Sequence, residues 1–117
     1  KILLDHGANI NAHDVWFNTA LMEATFYGHA EVVKILLDHG ANVNAKDDQG
    51  RTALIKAIDQ EEVDENIENA VKLLLDYGTD VDLRDNRYLS ALDIAERLNH
   101  KEIVKLIEDH RAKQINK

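Results

Sequence analysis

Apolar residues recur along the chain in short segments at helical spacing, and polar or Gly-containing turns separate the segments. Apolar residues at i, i+3, i+4 and i+7 predict amphipathic helices. The predicted helices form three pairs: short first helices at about 18–26, 51–60 and 89–98, and second helices at about 30–39, 66–77 and 101–110. The pattern therefore predicts an all-α chain built from helix pairs.

The residues at the ends of these segments fit helix boundaries. A hydroxyl just before a helix can accept a hydrogen bond from a free N–H of the first turn, which is the place of Thr19, Thr52 and Ser90. Glycine just after a helix provides a left-handed C-cap, which is expected at Gly7, Gly40 and Gly78.

One eight-residue segment occurs three times. Asp-His-Gly-Ala-Asn-Ile-Asn-Ala at 5–12 returns nearly unchanged at 38–45, an offset of 33 residues, and more loosely at 76–83, an offset of 38. The triplets that begin at Thr19, Thr52 and Ser90 keep the same two offsets. The chain therefore has an internal repeat with a five-residue insertion in its third unit.

These offsets divide one continuous domain into four units. They are a partial first unit at 1–13, a second at 14–46, a third at 47–84 and a fourth, with a tail, at 85–117. A helix pair this short cannot bury its apolar face alone, so the units are expected to stack into a solenoid.

The period and the turns resemble the ankyrin repeat, a unit of about 33 residues with a Thr-Pro-Leu-His-x-Ala turn. In 14–46 the resemblance is carried by Asp14, Thr19, Leu21, Ala24, Gly28, His29, Glu31, Val32, Val33, Lys34, Leu36, Leu37, Gly40, Ala41, Val43 and Asn44. In 85–111 it is carried by Asp85, Leu92, Ala95, His100, Glu102, Val104, Lys105 and Leu106. It covers nearly the whole chain and implies an ankyrin-repeat solenoid with hairpin-like loops.

Some positions depart from the family pattern. Alanine replaces its Pro at Ala20, Ala53 and Ala91, and its His is replaced by Met22, Ile55 and Asp93. Phe17 and Tyr88 stand where the family prefers Gly, and because a bulky residue at positive φ is costly, we expect those two turns to be rearranged. Arg111 replaces the Gly expected after the last helix, which favours a helix that continues into solvent.

The resemblance also implies that a partner protein binds to the turn tips and the exposed side of the first helices, which together form a concave face. The residues at these positions are His13, Val15, Trp16, Asn18, Phe26 and Tyr27 in the second unit; Lys46, Asp48, Gln49, Arg51, Asp59 and Gln60 in the third; and Arg84, Asn86, Arg87, Leu89 and Arg97 in the fourth.

The second unit is the strongest candidate, because Trp16, Phe26 and Tyr27 occupy outward positions and aromatic residues dominate interface energetics. The alternative is that Trp16 and Phe26 cover a neighbouring turn or an upstream repeat. The arginines at 51, 84, 87 and 97 could hold an acidic edge of a partner, although a solvated face is the favoured interpretation.

Composition limits the other functions. The net charge of −8, with no basic stripe, argues against nucleic-acid binding and favours a partner with a basic or neutral surface. The chain has no Cys, no apolar run of the roughly 20 residues that span a membrane, and no signal-peptide pattern. We expect an intracellular, cytoplasmic protein. Because Lys1 begins within an apolar run, we also expect missing upstream sequence and a frayed start.

No pattern of catalytic or metal-binding residues emerges. The insertion carries Asp59, Glu61, Glu62, Asp64 and Glu65, but it lacks the Gly and alternating ligands of a Ca²⁺ loop and is interpreted as a solvated loop. Stacking should hold His6 and His39 about 10 Å apart, too far to share a zinc ion. We therefore predict no enzyme activity, no cofactor and no metal.

Three hypotheses for function remain open. The first is a protein-interaction module. The second is a structural spacer within a larger protein, with no partner of its own. The third, more remote, is metal-assisted hydrolysis at the acidic insertion. Self-association of the chain through its apolar second unit is a further expectation.

Overall fold

The computed structural model describes residues 9–115, and that part of the chain contains six α-helices and no strand. The helices are α1 (Ala20–Phe26), α2 (Ala30–Asp38), α3 (Ala53–Ile58), α4 (Glu65–Asp76), α5 (Ala91–Arg97) and α6 (Lys101–Ile115). The all-α prediction and its three helix pairs are confirmed. The expected frayed start falls largely outside the described residues.

The first helix of each pair begins at the predicted hydroxyl. Thr19 accepts a hydrogen bond from the Met22 amide, and Thr52 accepts one from the Ile55 amide. At Ser90 the contact is reciprocal, because the Asp93 carboxylate also accepts from the Ser90 amide. Asp93 replaces the family's His, so here the substitution strengthens the helix start by completing a capping box.

The second helices end as predicted. Gly40 and Gly78 follow α2 and α4 with φ of 89° and 85°, the left-handed conformation that glycine adopts without steric cost. Gly7, for which the same C-cap is predicted, lies outside the described residues. α6 instead continues through Arg111, whose guanidinium lies 3.3 Å from Asp82, so the prediction of a continuing helix is confirmed.

The helix pairs stack in two layers. α1 packs on α3 and α3 on α5, while α2 packs on α4 and α4 on α6. Leu21 and Leu54 hold equivalent positions and are 2% and 1% exposed, whereas Leu92 is only partly buried in the last unit that the structure describes. The stack therefore buries one continuous apolar core.

The expectation that the turns at Phe17 and Tyr88 are rearranged is wrong. Both residues adopt left-handed φ values, 66° and 67°, close to the 75° of Gly50 at the same repeat position. Their amides donate to the carbonyls of Asp14 and Asp85, as the Gly50 amide donates to Asp47. The turn thus has the same shape in the three units, and Phe17 and Tyr88 adopt its left-handed conformation although it is sterically unfavourable for residues with a side chain.

No helix within 9–115 combines the length and the apolar character that crossing a membrane requires.

Candidate functional site

Three turn tips, at 13–18, 46–51 and 84–89, each precede the first helix of a pair and are built alike. In the first, Asp14 Oδ1 accepts from the amides of Trp16 and Asn18, both at 2.9 Å. The equivalent oxygens of Asp47 and Asp85 also each accept two amides, at 2.8–2.9 Å and 2.8–3.1 Å. A single carboxylate therefore closes each tip.

Adjacent tips are hydrogen-bonded to each other. The Asp48 amide donates to the Trp16 carbonyl at 2.9 Å, and the Asn86 amide donates to the Gln49 carbonyl at 2.9 Å. The Asn86 side chain also donates to the Asp48 carbonyl at 3.2 Å. The three tips consequently form one row, in which the main chain is fixed while most side chains stay exposed.

The hydrogen bonds lower the pKa of the tip aspartates. For Asp14 the largest cause is the Asn18 amide. For Asp47 and Asp85, burial acts to raise the pKa, but it is outweighed by hydrogen bonds from Arg51 and Gln49 and from Arg87 and Leu89, respectively. All three carboxylates are therefore held in the charged form that the turn requires.

The second unit's tip carries the most exposed apolar surface. Val15 is 79% exposed, Trp16 60% and Phe17 48%. The rings of His13 and Phe17 lie with their centroids 4.4 Å apart. Because the Asp14 turn fixes the main chain, these side chains are presented to solvent in a defined arrangement.

A second group of aromatic residues lies at the end of α1. Tyr27 is 60% exposed, Phe26 is half-buried, and their rings meet edge to face with centroids 5.0 Å apart. A depression of about 160 Å³ adjoins them, and its lining residues are Asn18, Glu23, Phe26, Tyr27 and Lys56. Of the predicted residues, Asn18, Phe26 and Tyr27 therefore line one depression.

Other predicted residues connect the units through hydrogen bonds. Lys46 Nζ donates to the Arg84 carbonyl at 3.2 Å. Gln60 Nε2 donates to the carbonyls of Ala57 and Phe26 at 2.7 and 3.3 Å. Leu89 is half-buried against the core, while Asp48 and Gln49 are exposed.

Three of the four predicted arginines pair with carboxylates of this same chain. Arg51 Nε lies 3.0 Å from Asp47, and Arg84 lies 3.0 Å from Asp93. Arg87 contacts Asp85 at 2.6 Å and Asp59 at 2.9 Å, and the hydrogen bond with Asp85 is the main cause that raises the pKa of Arg87. Arg97 is exposed and has no ion pair among the described residues.

Two acidic residues of the insertion make structural contacts. Asp59 pairs with Arg87, and Asp64 accepts from the Ile67 amide at 3.0 Å to cap α4. Glu61, Glu62 and Glu65 are exposed. Within 9–115, no three His, Asp or Glu side chains converge as metal ligands would. His6, which is predicted to lie too far from His39 to share a zinc ion, is outside the described residues.

Sequence reasoning missed three residues of this surface. Glu23 was not proposed, although it precedes Phe26 by one helical turn and so shares its face. Phe17 and Tyr88 were interpreted only as strained turn residues, yet they are 48% and 79% exposed. Their signal was the aromatic side chain at a position that favours glycine.

Comparison with known proteins identifies similar chains. A sequence model for the family described as ankyrin repeats (3 copies) matches residues 1–85 and 49–117. The crystal structure of an ankyrin repeat domain from Acinetobacter baumannii AYE superimposes with a TM-score of 0.85 at 34% identity. The alignment covers 90% of this chain and 54% of that one, so the chain spans about half of its neighbour's length. Curated proteins include no significant match.

Proposed function

The chain belongs to the ankyrin-repeat family, and we propose that it binds another protein through its second unit, with Trp16 and Tyr27 as anchors. Ankyrin repeats are generally protein-interaction modules and generally not enzymes. The family relationship supports the class of function, and the surface of this chain supports the choice of residues.

The observation that carries the proposal is the exposure of large apolar side chains in one unit. Trp16 and Tyr27 are each 60% exposed and Val15 is 79% exposed. An aromatic side chain offers about 150–250 Å² of surface, so burying the exposed part of one ring against a partner contributes about 2–4 kcal/mol. Contributions of that size are typical of interface hot spots.

Charge narrows the kind of partner. The net charge of −8 attracts a basic surface and repels an acidic one. The arginines at 51, 84 and 87 already have carboxylate partners within the chain, so an acidic partner would have to displace those contacts. The partner we propose therefore presents a neutral or basic surface with an apolar centre.

The test compares Trp16→Ala and Tyr27→Ala with the control Ile35→Ala. Ile35 is 44% exposed on α2, in the layer of second helices, so it is also an exposed large apolar residue but lies on another face. Each protein is used for affinity capture in cells that produce it, and its thermal unfolding is followed by circular dichroism. We expect both anchor variants to lose a partner that the control keeps, with unfolding temperatures close to the parent's.

Two results would contradict the proposal. Equal capture by all four proteins would favour the alternative function of a spacer. A strongly reduced unfolding temperature in the anchor variants would place Trp16 and Tyr27 in the core rather than in an interface.

We further propose that the chain is not an enzyme. The support is that the tip carboxylates hold turn amides and that His100 Nε2 lies 2.8 Å from the Gln60 carbonyl, which are structural roles. Thermal unfolding should be unchanged by Ca²⁺, Mg²⁺ or Zn²⁺. A cation-dependent increase in the unfolding temperature would instead support a metal site at the acidic insertion.

A further inference from the structure

The depression beside α1 has the size of one side chain. Its volume is about 160 Å³, well below the roughly 300–1,000 Å³ of pockets that hold small-molecule ligands. It lies between the first helices of the second and third units, since Glu23 and Phe26 belong to α1 and Lys56 to α3. A long side chain of a docked protein fits this space better than a metabolite or a cofactor does.

The charges around the depression are not equally available. Lys56 Nζ donates to Asn18 Oδ1 at 2.9 Å and lies 3.4 Å from Asp47 Oδ2, which Arg51 also contacts at 3.0 Å. The Asn18 hydrogen bond and, to a smaller extent, the charge of Lys56 lower the pKa of Asp14, so the two carboxylates of Asp14 and Asp47 face the two cations of Lys56 and Arg51. The Glu23 side chain is exposed and has no ion pair among residues 9–115. The depression therefore offers one uncompensated negative charge.

The walls of the depression are aromatic. Phe26 and Tyr27 meet edge to face, and the His29 ring lies nearly parallel to that of Tyr27 with centroids 6.1 Å apart. Tyr27 nevertheless remains 60% exposed. An aromatic ring attracts a cation placed over its face, and Arg is the cation found there most often. A planar guanidinium can stack on a ring and at the same time donate two hydrogen bonds to a carboxylate, which the compact ammonium of Lys cannot do.

We propose that this depression receives an arginine side chain of the partner, stacked on Tyr27 and hydrogen-bonded to Glu23. The inference rests on the proposed function and makes it more specific, because it names the chemical group that the partner must present. The net charge of −8 favours the same sign of partner charge.

The experiment is an NMR titration of the ¹⁵N-labelled protein with the tripeptide acetyl-Gly-Arg-Gly-amide at 0.15 M salt. The matched probe is the same peptide with citrulline, which keeps the shape of arginine without its charge. We expect saturable shifts at the amides of Glu23, Phe26 and Tyr27. Binding should be about threefold or more weaker for the citrulline peptide and for Glu23→Gln, and unchanged for Glu108→Gln, which alters an exposed carboxylate on α6.

Several results would overturn the inference. These are the absence of saturable shifts near Glu23, equal shifts across the acidic surface, equal binding of the two peptides, or equal effects of Glu23→Gln and Glu108→Gln. The proposed function fails separately, because it is tested by the loss of capture in Trp16→Ala. If that variant loses its partner while the titration is negative, the interface stands and the arginine site is wrong.

Discussion

Replacement of Asp47 by alanine is expected to destabilise the fold more than the same change at the equivalent Asp14. Asp47 accepts from the amides of Gln49 and Arg51, from Arg51 Nε and from Lys56 Nζ, and its side chain is 1% exposed. Asp14 accepts two tip amides and the Asn18 side chain, but it is exposed, so water can replace it. Burial and the two cationic donors, rather than the turn itself, distinguish the two positions.

The size of the effect at Asp47 follows from these contacts. A hydrogen bond to a charged group contributes about 1.5–3 kcal/mol, and a buried donor left without a partner costs about 1–3 kcal/mol. Arg51 and Lys56 keep 24% and 15% exposure and recover part of this by hydration. We expect Asp47→Ala to lower the free energy of unfolding by about 3 kcal/mol, and Asp47→Asn to lower it less, because its amide oxygen can still accept from the tip amides.

Urea denaturation at pH 7, followed by circular dichroism, measures these differences. With a slope of about 2 kcal/mol/M, a loss of about 3 kcal/mol lowers the urea midpoint by about 1.5 M. Equal midpoints for Asp47→Ala and Asp14→Ala would refute the reasoning, since neither burial nor the cationic donors of Asp47 would then add to the stabilisation that the carboxylate provides.

Acid provides a second readout of the same interaction. The pKa of Asp47 is lower in the folded state than in the unfolded chain, because amide and guanidinium donors outweigh burial. Its stabilisation is therefore complete above about pH 4, the unfolded value, and is lost as the pH falls through the folded pKa. Asp47→Asn should reduce this loss below about pH 4, and an unchanged acid dependence would contradict the assignment.

Five further substitutions test other parts of the fold by thermal or urea unfolding. Tyr88→Gly should leave stability unchanged or raise it by up to about 1 kcal/mol, because left-handed strain is removed at the cost of glycine's greater freedom in the unfolded chain; a clear loss would mean that the Tyr88 ring packs. Phe17→Gly should be less favourable than Tyr88→Gly, because it also removes the contact between the rings of Phe17 and His13; a larger gain at Phe17 would contradict this. Gly50→Ala should lower the free energy of unfolding by about 1–3 kcal/mol, because its Cβ would lie 2.5 Å from the Asn86 side chain and because the residue has a φ of 75°. An unchanged free energy of unfolding would show that the two tips do not pack closely. Leu54→Ala should lower the free energy of unfolding by about 3 kcal/mol and Leu92→Ala clearly less, because only Leu54 is fully buried between units. Equal losses at the two positions would contradict the stacking.

The fold could be predicted from the sequence because its signals are local and repeated. The hydroxyls of Thr19, Thr52 and Ser90 define helix starts within three residues, and Gly40 and Gly78 define ends in the same way. At α6 the absence of Gly at position 111 correctly indicated that the helix continues beyond 110, but no residue marked its end, which the structure places at Ile115.

The surface was less predictable, because it depends on contacts between units. The 28-residue separation of Arg87 and Asp59 and the 38-residue separation of Lys56 and Asn18 left no mark in the sequence pattern. The error at Phe17 has a related cause. The prediction considered only the steric cost of a positive φ at Phe17. The two amide hydrogen bonds that Asp14 accepts hold the turn in that conformation in spite of this cost.

Site-specific photo-crosslinking tests the proposed interface most directly. Benzoylphenylalanine is introduced in place of Trp16, or in place of Ile35 as the control, and the protein is irradiated in the cells that produce it. Our account predicts one discrete protein crosslinked from position 16 and not from position 35. Crosslinks to that protein from both positions alike, or from position 35 alone, would contradict it.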